Sequence, residues 1–377
     1  MTGSVKGWCP GALRPMEAGD GLMLRIRPHG SRLTAAQARA LADLAGTYGN
    51  GLIDLGTRAH VQLRGIRAAD LPALHGVLAG MGLLDTDPAA EARRNVLTTP
   101  VWAGGETLRL AAALEAALAE GPVLPPKFGF AVDSGPAAVL GGASADIRIE
   151  RAEGGGLILR ADGMERGEPV SFGEAPRRAV ALARWFADAA GGRTRMARLV
   201  AEGILPPVAA LRPPLTGPAL RPGPVPQGLC LALPFGRITA DTLRAVAVAP
   251  LRLTPWRSLV VEGGQGLIPP PELIADPDDP LLRVAACTGA PGCASAGVGT
   301  RALARRLAPL VPPGGLLHVS GCAKGCAHPG PATATLMGRG GRFDLILNGS
   351  WATEPVRRGL TPARIPDLLR GHLVPRP

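Results

Sequence analysis

Six cysteines occur in a chain of 377 residues, and four of them lie close together toward its C-terminal end. ACTGAPGC carries Cys287 and Cys293, and GCAKGCAHPG carries Cys322 and Cys326. The pattern is C-x5-C and then, after 28 intervening residues, C-x3-C. Four soft thiolates at such spacings can hold an iron–sulfur cluster or zinc, or can be structural thiols. Zinc sites use C-x2–4-C knuckles on both sides, and an x5 loop is wide for that. A [4Fe–4S] cube takes one thiolate per iron at well-spread corners. Glycines and prolines surround the thiols (Gly289, Pro291, Gly292, Gly321, Gly325, Pro329). They let the backbone approach inorganic sulfide and donate N–H bonds to it. The spacing favours iron–sulfur, with zinc and structural thiols as the alternatives. Cys9 and Cys230 stand apart and read as free thiols.

The elements that must carry these residues follow from hydrophobic period. LMLRIRP (22–28) reads as a strand, and Thr34 with Gln37 makes a T-x-x-Q capping box for a helix striped by Leu41, Leu44 and Tyr48. GLIDLG and HVQLRGI alternate as paired strands, and ADLPALHGVLAGMGL closes as a helix ending at glycine. A second copy follows: RLTAAQARALA from Arg32 matches RITADTLRAVA from Arg237, and IDLGTRAHVQL from Ile53 matches LRLTPWRSLVV from Leu251. Two such α/β half-units imply a duplicated architecture. Residues 89–204 between the copies carry expected strands near 128–132, 145–150 and 156–161 and a helix near 174–190. A proline-rich stretch (205–226) cannot hold a helix and reads as an extended connector. The second half-unit then covers 227–275 and the cysteine region 276–377, after a first half-unit of 1–88. GVGTRA, from Gly297, has the look of a dinucleotide fingerprint. No strand directly precedes it, so it reads as a helix start.

Composition narrows the function classes. Hydrophobic residues make up 46% of the chain, and no apolar run reaches the ~18–20 residues of a membrane span. The opening residues lack the apolar segment of a signal peptide, so a cytoplasmic location is expected. Thiols stay reduced there, which argues for metal or redox chemistry over disulfides. The net charge of +11 calls for an anionic partner. Scattered arginines and only 3% aromatics argue against nucleic acid and suit a polyanionic small molecule.

The cysteine pattern, set behind a duplicated half-unit, resembles the sulfite and nitrite reductase family, and the likeness covers nearly the whole chain. It implies an α+β fold: a duplicated sulfite/nitrite reductase-like architecture with ferredoxin-like half-domains and a [4Fe–4S] domain. It places the cluster on Cys287, Cys293, Cys322 and Cys326, with Cys326 bridging to a sirohaem iron in family members. It also puts anion- and macrocycle-binding residues at Arg27 (LRIRPHG), Arg58 and Gln62 (GTRAHVQ) and Arg94 (RRNVLTTP). A substrate-side lysine falls at Lys127 (LPPKFGF). Lys127 and Arg94 are thereby the expected catalytic pair. The reductases' second lysine is replaced here by Gly129, and the chain is shorter than theirs.

WCPGALRPMEAGDG, KFGFAVDSG, ADIRIE, LRLTPWRSLVV, AACTGAPGCASA and SGCAKGCAHPG further resemble one branch, the precorrin-3B synthases of aerobic cobalamin biosynthesis. That branch implies a monooxygenase acting on precorrin-3A, a metal-free polycarboxylate tetrapyrrole, with O2. C20 is hydroxylated and a ring A acetate closes to a γ-lactone. The slot for sirohaem would then hold substrate, lined by Arg27, Arg58, Gln62 and Arg94. Electrons would come ultimately from NADH through a separate reductase and the cluster. The branch also suggests a mononuclear non-haem iron, for which the dispersed histidines show no ligand set. His60 reads as a packing residue, and His328 as a partner of cluster sulfide or backbone. The competing readings are a compact sirohaem-dependent sulfite or nitrite reductase and a zinc-stabilised binding protein.

Overall fold

Thr34 starts a helix as its side chain requires: Oγ1 accepts from the N–H of Gln37 at 3.1 Å, and the Gln37 side chain returns to the Thr34 N–H at 2.9 Å. In the computed structural model, which describes residues 9–373, that helix belongs to the first of two repeats. Trp8, the first residue of WCPGALRPMEAGDG, lies outside the described residues. The first repeat opens with β1 (Met16–Ala18), β2 (Gly21–Ile26), β3 (Arg32–Leu33), α1 (Ala35–Tyr48), β4 (Leu52–Leu55), β5 (Val61–Ile66) and α2 (Leu71–Gly80). It continues with α3 (Pro88–Arg93), β6 (Val96–Thr98), α4 (Glu106–Leu118), β7 (Phe130–Asp133), β8 (Ile147–Arg151), β9 (Leu157–Ala161), β10 (Glu168–Val170), α5 (Ala175–Ala189) and α6 (Met196–Ala201).

The second repeat has β11 (Gly223–Val225), β12 (Gly228–Ala232), β13 (Arg237–Thr239), α7 (Ala240–Val246), β14 (Leu251–Leu253) and β15 (Ser258–Glu262). Then come β16 (Val284–Ala286), α8 (Arg301–Leu307), β17 (Leu317–Ser320), β18 (Ala332–Arg339), β19 (Arg342–Gly349), β20 (Arg357–Leu360) and α9 (Ile365–Leu373).

The half-units are not independent sheets. Their strand orders are β1-β2-β5-β4-β13 and β11-β12-β15-β14-β3, so each lends its third strand to the other. Arg237 lies opposite Asp54, and Arg32 opposite Arg252. Both exchanged strands are fastened by two-pronged ion pairs: Arg237 to Asp54 at 2.8 and 3.1 Å, and Arg32 to Glu262 at 2.8 and 2.9 Å. Each is preceded by a 3-10 turn passing through left-handed backbone, at Gly30 and Ser31 (φ 59° and 52°) and at Phe235 and Gly236 (φ 58° and 72°). α1 packs on α7.

The second part of each repeat is also one design. Sheet orders are β10-β9-β8-β7-β6 and β16-β17-β18-β19-β20, with the first three strands of each repeat parallel and the last two antiparallel. Between the earlier sheet and its helices, Phe128 packs against Phe130 of β7 and against Phe186 of α5. The proline-rich stretch runs extended and is laced to this domain: Ala138 N–H donates to the Leu215 carbonyl at 2.7 Å, and Leu215 N–H to that of Arg151 at 2.8 Å.

The described residues divide into two compact units, 9–16 with 23–275 and 17–22 with 276–373. Among them no helix is long and apolar enough to cross a membrane.

Candidate active site: a guanidinium cluster and four thiols

The turn between β4 and β5 kinks through a left-handed residue, Ala59 (φ 55°), and this breaks the strict side-to-side alternation of the strand. Arg58 precedes the kink and His60 follows it. Burial and then the charges of Arg27, Arg25, Arg58 and Arg94 act on His60 and hold its imidazole well below its usual pKa, so it is neutral. The histidine expected to be a packing residue thus stands within the fields of four guanidiniums. It is only 5% exposed.

Those guanidiniums are unevenly satisfied. Arg27, 6% exposed, gives one N–H to the Glu91 carbonyl, and Arg58 reaches Ser144 Oγ at 3.2 Å. Arg25 hydrogen-bonds the Cys9 side chain. Yet the buried Nε of Arg25, of Arg27 and of Arg58 meets no acceptor among the described residues. Burial lowers the pKa of all three below the arginine value, Arg25 and Arg195 adding to the effect on Arg58. Arg94 differs. Burial opposes its charge, but hydrogen bonds and attraction from Asp85 outweigh it and raise the pKa. Its Nε and Nη2 hold Asp85 at 2.8 and 2.7 Å, and Nη1 donates to the Arg27 carbonyl at 2.8 Å. Burying several guanidiniums with so few acceptors between them is costly, and this concentrates positive charge at one place in the fold.

The scaffold of the cluster is local to it. Glu91, buried in α3, accepts from the N–H groups of Ala12 (2.6 Å) and Leu13 (3.3 Å). A Cβ at Gly11 would stand 2.1 Å from Glu91 Oε2, so a larger residue there would push the carboxylate off the Ala12 and Leu13 N–H groups. On another side Asp146 is fully buried, and burial raises its pKa despite its donors. These are Arg195 Nε at 2.9 Å and the N–H groups of Met196 (2.9 Å) and Gly129 (3.0 Å). A Cβ at Gly129 would stand 2.7 Å from Asn95 Nδ2, which is itself bonded to the Phe128 carbonyl at 2.7 Å.

The thiols lie at the C-terminal ends of adjacent parallel strands, where open α/β sheets place their ligand crevices. Cys287 follows β16 and Cys322 follows β17. The Cys287 N–H donates to the Val319 carbonyl at 3.2 Å, and Gly321 N–H donates to Cys287 Sγ at 3.1 Å. Thr300, at the start of α8, ties its hydroxyl to the Cys287 carbonyl at 2.7 Å. GVGTRA is therefore a helix start that braces the thiol loop. Burial first, then Cys322, Cys287 and Cys293, raises the pKa of Cys326, so the four thiols share one neighbourhood. No Cβ fits at Gly325, which abuts the Trp351 ring, and one at Gly321 would stand 2.7 Å from Ala296 Cβ. Four free thiols on glycine-lined loops, one already accepting a backbone N–H, fit a cube with four corners. Among the described residues no three His, Cys, Asp or Glu side chains gather around a single-ion point. A mononuclear iron thus finds no ligand set in these residues. His328 bonds the Pro331 carbonyl at 3.0 Å and packs edge-on against His318.

Residues 14–80 match the family model for the nitrite/sulfite reductase ferredoxin-like half domain. The structure of the Mycobacterium tuberculosis NirA protein aligns over 93% of this chain and 79% of its own, with a TM-score of 0.57 at 21% identity. A ferredoxin–nitrite reductase from Leptolyngbya laminosa is 36% identical over 95 residues, 25% of this chain and 18% of that protein. Repeat, sheets and half-domain together define a protein of nitrite/sulfite reductase-like architecture. A precorrin-3B synthase from Sinorhizobium sp is 31% identical over 392 aligned residues, covering 92% of this chain and 83% of the relative. The chain belongs to the precorrin-3B synthase family.

Of the residues singled out in the sequence, Arg27, Arg58 and Arg94 converge around His60. Gln62 lies on β5 opposite Asp54, two positions after His60. Lys127 is exposed in the turn before β7, and its ammonium is held by no described residue. Sequence reasoning missed Arg25, Cys9, Glu91 and Asp146. Arg25 had a usable signal, its i,i+2 spacing from Arg27 along a strand. Glu91 had none, because its partners are 78 and 79 residues away.

Proposed function

We propose that this protein is a precorrin-3B synthase: an oxidoreductase that binds precorrin-3A, hydroxylates C20 with dioxygen and closes the ring A acetate to a γ-lactone. The observation that carries this reading beyond family membership is the convergence of Arg25, Arg27, Arg58 and Arg94 on one buried point at His60. A polycarboxylate macrocycle supplies anions for that charge. Arg27 and Arg58 grip carboxylates. Arg94, saturated by Asp85, acts by fixing the Arg27 backbone through its bond to that carbonyl. Gln62 offers an amide to the ring, and Lys127 brings a free ammonium to the substrate side. Gly129, with Asn95 packed against its α-carbon, suits a site that does not grip a small oxyanion with a second lysine. Cys287, Cys293, Cys322 and Cys326 would hold the [4Fe–4S] cluster, which supplies one-electron transfer when bound. Its electrons derive from NADH through a separate reductase in the cytoplasm.

Turnover of precorrin-3A under labelled dioxygen by anaerobically purified protein tests this directly. One labelled oxygen in a hydroxylactone product is the expected result. Sirohaem absorption bands with sulfite- or nitrite-dependent electron consumption, and no such product, would overturn it in favour of a compact reductase.

A further inference from the structure

Trp351 is 40% exposed, on the turn that follows β19. A single apolar side chain at the surface needs no explanation. This one is set apart by what it touches. A Cβ built on Gly325 would fall 2.7 Å from Trp351 Cγ and 2.9 Å from its Nε1, so the indole lies directly on the Gly325 α-carbon. Gly325 is in left-handed backbone at φ 59°, and its missing side chain is what admits the ring. The next residue is Cys326, the most exposed of the four thiols.

Both partners are held in place. The turn is stitched around Trp351: the N–H of Ser350 donates to Thr353 Oγ1 at 3.1 Å, that of Ala352 to Ser350 Oγ at 3.3 Å, and that of Thr353 to the Ser350 carbonyl at 3.0 Å. Just before it, the Gly349 carbonyl accepts from the buried Thr335 hydroxyl at 3.1 Å. The thiol loop is tied in turn by Lys324, whose ammonium donates at 3.1 Å to the hydroxyl of Ser295, two residues after Cys293. An indole so fixed keeps water off the backbone beneath it.

The reading above sets oxidisable thiolates and sulfides in an enzyme whose co-substrate is dioxygen. Oxidation of sulfur follows its exposure, so access at Cys326 has to be limited by something the chain supplies. We propose that Trp351 is a shield: its indole, seated on Gly325, closes the Cys322–Cys326 loop to solvent and dioxygen and so preserves the bound cluster. This rests on the [4Fe–4S] reading. Trp351 is a positioning residue that acts through the loop it covers.

The test uses cluster-loaded protein prepared anaerobically. Decay of its visible absorption is followed in air-saturated buffer, and iron release to bathophenanthroline disulfonate is timed in a parallel anaerobic run. Trp351→Ala should lose absorption and iron several-fold faster than wild type. Trp351→Phe, which keeps a ring on Gly325, should stay near wild type. Starting iron and sulfide content and melting temperature should agree in all three proteins, because the bonds that stitch the turn come from other residues. Equal decay in Trp351→Ala and wild type overturns the proposal and leaves the cluster reading standing. A Trp351→Ala protein that starts with less iron and melts lower also overturns it, since the ring is then a brace for the fold. Anaerobic wild type without iron would remove the cluster reading, and this inference with it.

Discussion

Where the first half-unit carries Arg25, Arg27, Arg58, His60 and Gln62, the second carries Cys230, Ala232, Trp256, Ser258 and Val260 at the matching positions. The backbones nevertheless agree in detail. Ala59 and Arg257 are left-handed at φ 55° and 57°, and Thr34 and Thr239 both cap the following helix. Even the ion pairs correspond with signs exchanged. Asp54 and Arg64 of the first copy, 3.5 Å apart, become Arg252 and Glu262 of the second at 3.0 Å. In both copies the acid also takes the arginine of the strand lent by the other copy. What the repeat preserves is the set of positions that fix the backbone, while faces that no turn or strand pairing needs diverge. Cys230 shows the outcome: burial lifts its thiol to about 11, an inert group where the first copy has Arg25.

The second parts of the repeats diverge the other way. β17 ends at Ser320 and is followed by Gly321 and Cys322; after β7 the loop begins at Ser134, following Asp133, and is stitched by Arg151, which donates to the carbonyls of Ser134 (2.6 Å) and Gly135 (3.1 Å). Each repeat thus contributes one specialised part, cationic in the first and thiol-bearing in the second.

The contrast is broken most severely at the thiols. Cys322→Ser should abolish the broad visible absorption and the cluster iron, because one iron loses its ligand, whereas Ser134→Cys should add no iron; iron analysis of the two proteins checks both. Asp133 tests the other side. Burial raises its carboxyl from 3.8 to about 6. A folded-state pKa above the unfolded one means its favourable contribution is intact below about pH 4 and disappears as pH rises through 6. The accumulated cost is about 3 kcal/mol by neutral pH. Asp133→Asn, still able to accept the Leu140 N–H now held at 2.6 Å, should gain on wild type between pH 4 and 7 in denaturant titrations. A variant that tracks wild type at every pH would refute this.

Between the half-units, Arg27→Ala should weaken tetrapyrrole binding by about 1.5–3 kcal/mol, and Trp256→Ala at the matching level of the second copy should not change it. Equilibrium titration of both distinguishes a specialised first copy from two equivalent ones. The smallest effect concerns what the copies share. Thr239→Ala removes the oxygen that accepts the Thr242 N–H at 3.1 Å and should cost ~1 kcal/mol, as should Thr34→Ala; their melting temperatures should fall by similar amounts.

Much of this was legible in the sequence. The capping box, the paired strands around 53–66, the internal repeat and the four cysteines all rest on local pattern, and locality is what a sequence displays. The strand exchange was not, because β3 and β13 are two and three residues long and carry no readable period. His60 was read as a packing residue and is buried, but the four guanidiniums around it were not legible for a related reason: the left-handed turn at Ala59 breaks the alternation, and alanine gives no sign of it. Arg94 was placed at the cluster, but its saturation by Asp85 depends on how α3 ends. Glu91 binding Ala12 and Leu13 is a contact that only the folded chain brings about.

The exchange of β3 and β13 bears on how such a chain can arise. One repeat alone would have a strand with no sheet and a sheet with an empty edge, an invitation to pairing with another chain. Two identical copies would satisfy each other by swapping that strand about a two-fold axis. This protein has the plan of such a swapped homodimer joined into one polypeptide. Once joined, the copies no longer had to be identical, and one was free to collect arginines while the other collected cysteines.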